Sequence, residues 1–184
     1  MIKLKNILNE ELKKSQIDLL RRIFSGYASS RNNKTSLEKL YKVKGKAPFS
    51  DILKLHKISS GTYYRGMNLP FTPEQGKDFK FTFSGWTKSK KQAEKFGNIL
   101  FMTKNIKPAF VDINSFGKAI QAYIKKEYPQ YDWDAQSIIG KPSDISMLYT
   151  IADGLFSGEN EVVFEPFITN MKNVKGNIIE VWLN

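Results

Sequence analysis

The apolar residues of this chain change their period once, near Ser59-Ser60-Gly61, and that change limits the folds open to it. Before it the spacing is helical. Leu12, Leu19, Leu20, Ile23, Phe24 and Tyr27 form the stripe of a helix that Asn9 caps, ending at Ser25-Gly26 and Ser29-Ser30-Arg31-Asn32-Asn33. Thr35-Ser36-Leu37-Glu38 has capping-box spacing and predicts a second helix carrying Leu37, Leu40, Tyr41 and Val43. Ser50-Asp51 predicts the cap of a third, with Ile52, Leu53 and Leu55 inside. After the change the pattern is that of strands. Runs at Thr62–Gly66, Phe79–Phe83, Ile99–Met102 and Ala109–Val111, and over 161–166 and 177–183, are β-prone. Ser89-Lys90-Lys91-Gln92 is another capping box, opening a short helix with Ala93 and Phe96. A further helix is expected near Phe116–Lys126, and Tyr128 to Lys141 reads as a loop. The sum is an α+β chain, with N-terminal helices followed by a mostly antiparallel β core into which helices are inserted. The expected division is a basic helical segment at 1–58 and a core at 59–184.

Charge follows the same division. The net charge is +11, and residues 1–58 hold 14 Lys and Arg against 5 Asp and Glu. The basic third therefore suits an acidic partner, either nucleic acid or a protein bound to it. No zinc-finger, RNP or basic-zipper pattern accompanies it. No apolar run approaches 18 residues and the N-terminus lacks a long apolar stretch, so neither a membrane span nor a signal peptide is expected. There is no cysteine, which excludes disulfides and thiolate metal sites and fits a reducing cytosol. The single histidine, His56, lies in a basic helical segment and cannot supply a His-rich metal site. By elimination, chemistry on this chain runs on carboxylates and arginine, with no metal.

The carboxylates stand out at Phe156-Ser157-Gly158-Glu159-Asn160-Glu161-Val162-Val163-Phe164. On a strand, Glu159 and Glu161 project from one face, about 6.6 Å apart. Paired acids also occur on solvated edge strands, where they repel unwanted pairing. The company they keep favours a site. Tyr63-Tyr64-Arg65-Gly66-Met67 sets an arginine at a strand end before glycine. Phe83-Ser84-Gly85-Trp86-Thr87-Lys88-Ser89 is a hydroxyl-rich strand end leading into a helix.

In this order the three motifs resemble the arginine–serine–glutamate class of mono-ADP-ribosyltransferases, and most closely the Alt and Mod type of T4-like phages. The resemblance covers roughly residues 60–170, including Phe110-Val111-Asp112-Ile113-Asn114 and Lys126-Glu127-Tyr128-Pro129. It implies an ADP-ribosyltransferase-type core with NAD as co-substrate. Arg65 would hold the pyrophosphate, since a guanidinium grips such an anion bidentately. Gly66 would let the backbone approach the nicotinamide amide. Glu161 would hold the ribose 2′-hydroxyl and support the oxocarbenium-like cation, as carboxylates do in glycoside hydrolysis. Glu159 would receive the acceptor, and a glutamate there implies arginine. Phe156 matches the aromatic of the substrate-recognition turn. The usual Ser-Thr-Ser is altered. It reads either Gly85-Trp86-Thr87 or Thr87-Lys88-Ser89, the first preferred because Ser89 serves better as a helix cap. Thr87 belongs to both registers. In the preferred one the first hydroxyl is lost to Gly85, and Ser84 is the candidate substitute.

The implied activity is transfer of ADP-ribose to arginine of a host bacterial protein of the transcription or translation machinery, in the host cytoplasm. Some of the phage enzymes also join NAD-capped RNA to proteins, which makes RNA a second candidate substrate. The alternatives are an NAD glycohydrolase and a non-catalytic basic nucleic-acid-binding or virion protein.

Overall fold

The computed structural model describes residues 14–25, 33–135, 140–154 and 161–182. These form a mixed α+β structure of six α-helices and an eight-stranded sheet. The chain divides into two compact units, Met1–Lys57 with Ser115–Ser157, and Ile58–Asn114 with Gly158–Asn184.

The first unit is helical. Helix α1 (14–25) buries Ile17, Leu20, Ile23 and Phe24. Leu19, expected in that stripe, lies on the outer side instead and is 36% exposed, because the buried set falls at the i, i+3, i+7 positions of Ile17, Leu20 and Phe24. Asn9, Leu12 and Tyr27 are outside the described residues. Helix α2 (Asn33–Val43) opens ahead of the expected capping box, so Thr35–Glu38 lie inside it; Leu37 and Leu40 are buried. Helix α3 (Phe49–Leu55) is led in by Pro48, which carries no side-chain cap. Ser50 and Asp51 therefore sit in its first turn, where the carboxylate faces the positive end of the helix dipole and Asp51 also pairs with Lys54 at 3.0 Å.

Helices α5 (Ile113–Glu127) and α6 (Ser143–Gly154) complete this unit. The expected core at 59–184 is thus divided, and Ser115–Ser157 joins the N-terminal helices. The reason is where their apolar faces are satisfied. Phe116 packs at a tilt against Phe24, ring centroids 5.3 Å apart, and meets the ring of His56 edge-on at 5.6 Å. Arg21 pairs with Asp144 at 3.4 Å and with Asp18 at 3.2 Å.

The second unit is the sheet. Its strands are β1 (Tyr63–Met67), β2 (Asp78–Phe81), β3 (Ser84–Thr87), β4 (Ile99–Thr103), β5 (Ala109–Asp112), β6 (Glu161–Phe164), β7 (Phe167–Lys175) and β8 (Ile178–Trp182). Their order is β2-β7-β8-β4-β1-β3-β6-β5, and every pair is antiparallel except β4–β8. One face buries Tyr63, Phe81, Trp86, Phe101 and Phe164 among aliphatic neighbours. Trp86 stacks on Phe164 at 5.1 Å, and Phe81 meets Phe101 edge-on at 5.0 Å. Ring pairs of this geometry add to the burial of their area. A short helix α4 (Lys90–Ala93) and a 3₁₀ turn (Glu94–Phe96) join β3 to β4. Among the described residues no helix is long and apolar enough to cross a membrane.

Candidate functional site

Strand order puts the motif-bearing strands side by side: β1 carries Arg65, β3 carries Gly85 and Thr87, and β6 begins with Glu161. Strand β1 pairs with β4 along its whole length, from Tyr63↔Thr103 to Met67↔Ile99. With β3 it makes one pair, Tyr64↔Thr87. Where that ladder stops, a side chain takes over: the Arg65 Nη1 donates to the Gly85 carbonyl at 2.7 Å. Strands β3 and β6 then pair fully, with Ser84↔Phe164, Gly85↔Val163, Trp86↔Val162 and Thr87↔Glu161.

Directly opposed residues of an antiparallel pair share a face. Ser84, Trp86, Val162 and Phe164 turn to the buried aromatic core, and Gly85, Thr87 and Glu161 turn the other way. The Glu161 carboxylate folds down onto Gly85. A β-carbon built on Gly85 would lie 1.5 Å from the Glu161 Oε1 and 2.5 Å from its Cδ. Arg65 and Glu161 thus both reach Gly85, the first through its carbonyl and the second through the space above its α-carbon, although by register Arg65 leaves β1 on the face of Phe101 and Glu161 leaves β6 on the face of Thr87.

Arg65 is half-buried, and burial pulls its guanidinium below the ordinary arginine range, partly opposed by the negative charge of Glu161. It remains a cation at any physiological pH. Its Nε is buried without a hydrogen-bond partner among the described residues. A buried, charged donor left unpaired costs free energy, so it marks a place where an acceptor is wanted.

The hydroxyls sort themselves by face. Ser84 is buried and its Oγ accepts from the Trp86 Nε1 at 3.0 Å, so it is turned away from Glu161 and does not replace the missing hydroxyl. The Ser89 Oγ accepts from the Gln92 backbone at 3.2 Å and caps α4. Thr87 stands opposite Glu161, and its Oγ1 accepts from the Ser89 backbone at 3.1 Å. Gly66 has its own reason to be glycine. A β-carbon there would fall 2.0 Å from the Ala93 carbonyl oxygen, so that side is filled by α4 and not open to a ligand. Glu159 and Phe156 lie outside the described residues.

His56 belongs to the helical unit, at the C-terminal end of α3. That unit also holds a cavity of about 380 Å³ lined by Gln121, Lys125, Trp133, Asp134, Lys141 and Tyr149 among others; no candidate residue lines it. No group of three or more His, Cys, Asp or Glu among the described residues could hold a metal ion. The residue that motif reading undervalues is Gly85, counted there as a lost hydroxyl. Its signal was a glycine inside a strand, which often marks the close approach of another group. No family model, no curated protein and no solved structure matches this chain.

Proposed function

We propose that this chain is an NAD-dependent mono-ADP-ribosyltransferase that moves ADP-ribose onto arginine, with an ADP-ribosyltransferase-type core in its sheet unit. The observation that carries this is the meeting of Arg65 and Glu161 at Gly85 across three adjacent strands. A cation with an unpaired buried donor and a carboxylate converge on one glycine. That suits a ligand which is anionic at one point and develops positive charge at another. NAD is such a ligand. Its pyrophosphate would take the unpaired Nε donor of Arg65. Its ribose would lie toward Glu161, whose charge offsets the oxocarbenium-like cation formed as the glycosidic bond to nicotinamide breaks.

In the transfer step the ribose C1′ loses nicotinamide and bonds a guanidinium nitrogen of the acceptor. The acceptor's proton passes to a carboxylate, the role assigned to Glu159. Thr87, opposite Glu161, is assigned to support of its carboxylate. The acceptor is a host bacterial protein of the transcription or translation machinery, RNA carrying an NAD cap is a second candidate substrate that would serve as donor in place of NAD, and the basic residues 1–58 favour either. Incubating the purified protein with radiolabelled NAD and a bacterial lysate tests the reading. Labelled macromolecules are expected. Free ADP-ribose alone would assign a glycohydrolase, and consumption of no NAD would defeat the proposal.

A further inference from the structure

We infer that Gly85 is a positioning residue, and that its missing side chain is the seat in which the Glu161 carboxylate is held, over the residue whose carbonyl Arg65 binds. This rests on the transferase reading for its consequence in catalysis, but not for its geometry. Glycine in the interior of a strand weakens it, having no side chain to pack and more backbone freedom to lose. At Gly85 the backbone does not ask for glycine, since its φ lies outside the left-handed region. It faces away from the aromatic core of Trp86 and Phe164, on the side of its register partner Val163. The three atoms nearest a β-carbon at this position are Oε1, Cδ and Cγ of Glu161, at 1.5, 2.5 and 2.9 Å. The nearest demand for an empty site therefore comes from the end of one flexible side chain.

A methyl group at position 85 leaves the strand free to form and forces the carboxylate off it. To restore ordinary contact of roughly 3.5 Å, the Glu161 Oε1 must retreat by about 2 Å. Arg65 keeps its partner, because the Gly85 carbonyl is untouched. A mutation of this kind separates folding from function. It moves the proposed charge-stabilising group without removing any group. Misplacing a reacting group by an ångström costs on the order of 100-fold in rate.

The test compares crystal structures, melting temperatures and nicotinamide release from NAD for the wild type, Gly85→Ala, Glu161→Gln and the double variant Gly85→Ala/Glu161→Gln. Gly85→Ala should melt at or above the wild-type temperature, since an alanine compatible with the backbone narrows the unfolded ensemble. Its Glu161 carboxylate should be displaced by about 2 Å and its nicotinamide release should fall about 100-fold. The double variant should be no slower than Glu161→Gln alone, because Gly85 acts only through Glu161. A displaced carboxylate with wild-type release would overturn the inference, as would a full additional loss in the double variant. If the wild type releases no nicotinamide, the transferase reading fails separately. The crystal structures then decide the seat alone, an unmoved carboxylate sinking it. If Gly85→Ala does not fold, Gly85→Ala/Glu161→Ala must fold, since the clash is then gone; its failure would also overturn the inference.

Discussion

Replacing Arg65 with alanine is expected to weaken NAD binding while leaving the fold in place, and the structure says by how much each should change. Two opposing terms govern stability. The variant loses the charge-assisted bond from Nη1 to the Gly85 carbonyl, worth roughly 1.5–3 kcal/mol net. It also removes a half-buried cation whose Nε has no partner, a group whose burial costs about 1–3 kcal/mol. The terms nearly cancel, leaving a change within about 1 kcal/mol, or roughly 2–4 °C in melting temperature for a chain of this size. Binding has no such compensation. Loss of one charge-assisted contact to the pyrophosphate, about 1.5–3 kcal/mol, lowers NAD affinity about 10- to 150-fold. Arg65→Lys should recover only part of it, because an ammonium lacks the planar fork that grips a phosphate through two bonds. Calorimetric titration of NAD, with a melting curve for each protein, measures both terms. Wild-type affinity in a folded Arg65→Ala protein would remove Arg65 from the site and with it the reason for placing a pyrophosphate there.

The remaining predictions concern charge and acceptor. Changing Glu161 to Gln should lower nicotinamide release and protein labelling steeply and together, leaving a measurable remainder, whereas Glu159→Gln should lose labelling of arginine and keep NAD binding and much of the slow hydrolysis; single-turnover assays of both products separate them, and equal losses would refute the division of labour. Charge reversal at the exposed Lys39, Lys42 and Lys46 should reduce labelling of macromolecules and its sensitivity to salt while NAD hydrolysis stays constant, and equal loss of both activities would tie these residues to the NAD site itself. Burial, then the negative charges of Glu127 and Asp51, push the Tyr123 hydroxyl up to about 12 from an ordinary 10. The unfolded chain therefore releases that proton first, and stability should fall as pH rises from 10 to 12, by on the order of 1 kcal/mol once solvent screening of this half-exposed group is allowed for; alkaline melting curves of Tyr123→Phe should lack that part of the decline.

The parts of the fold legible in the sequence were those whose apolar pattern is plain. Helix α1 carries a buried stripe, and β4 and β5 are short runs of adjacent apolar residues buried on both faces; a helix and strands were expected there, as at β1. Helix α6 was not expected. Its apolar residues Ile145, Met147, Leu148, Tyr149, Ile151 and Ala152 surround the helix instead of lining one stripe, and Met147 is half-exposed. Strand β7 was hidden for the opposite reason. Asn170 and Asn173 break the β-prone run, and its pairing to β2 on one side and β8 on the other overrides that local weakness. Of the candidate site, Arg65, Thr87 and Glu161 could be named from motif order. Ser84 could not be excluded until its face was known, and the worth of Gly85 depends on a side chain from a distant strand.

Three costs therefore fall on the same three strands. A ladder between β1 and β3 stops after one pair, a strand-interior position lacks a side chain, and a guanidinium is partly buried with one donor unmatched. Each is the kind of departure worth about 1 kcal/mol that sequences lose readily when nothing requires it. Taken as structural accidents, they need three separate explanations. Taken as one binding site they need one. The stopped ladder frees Arg65 to reach the Gly85 carbonyl, the empty position lets the Glu161 carboxylate lie over the same residue, and the unmatched donor is left for an anion. Costs that coincide in this way are where a functional site is to be sought, since local consistency is given up where function requires it.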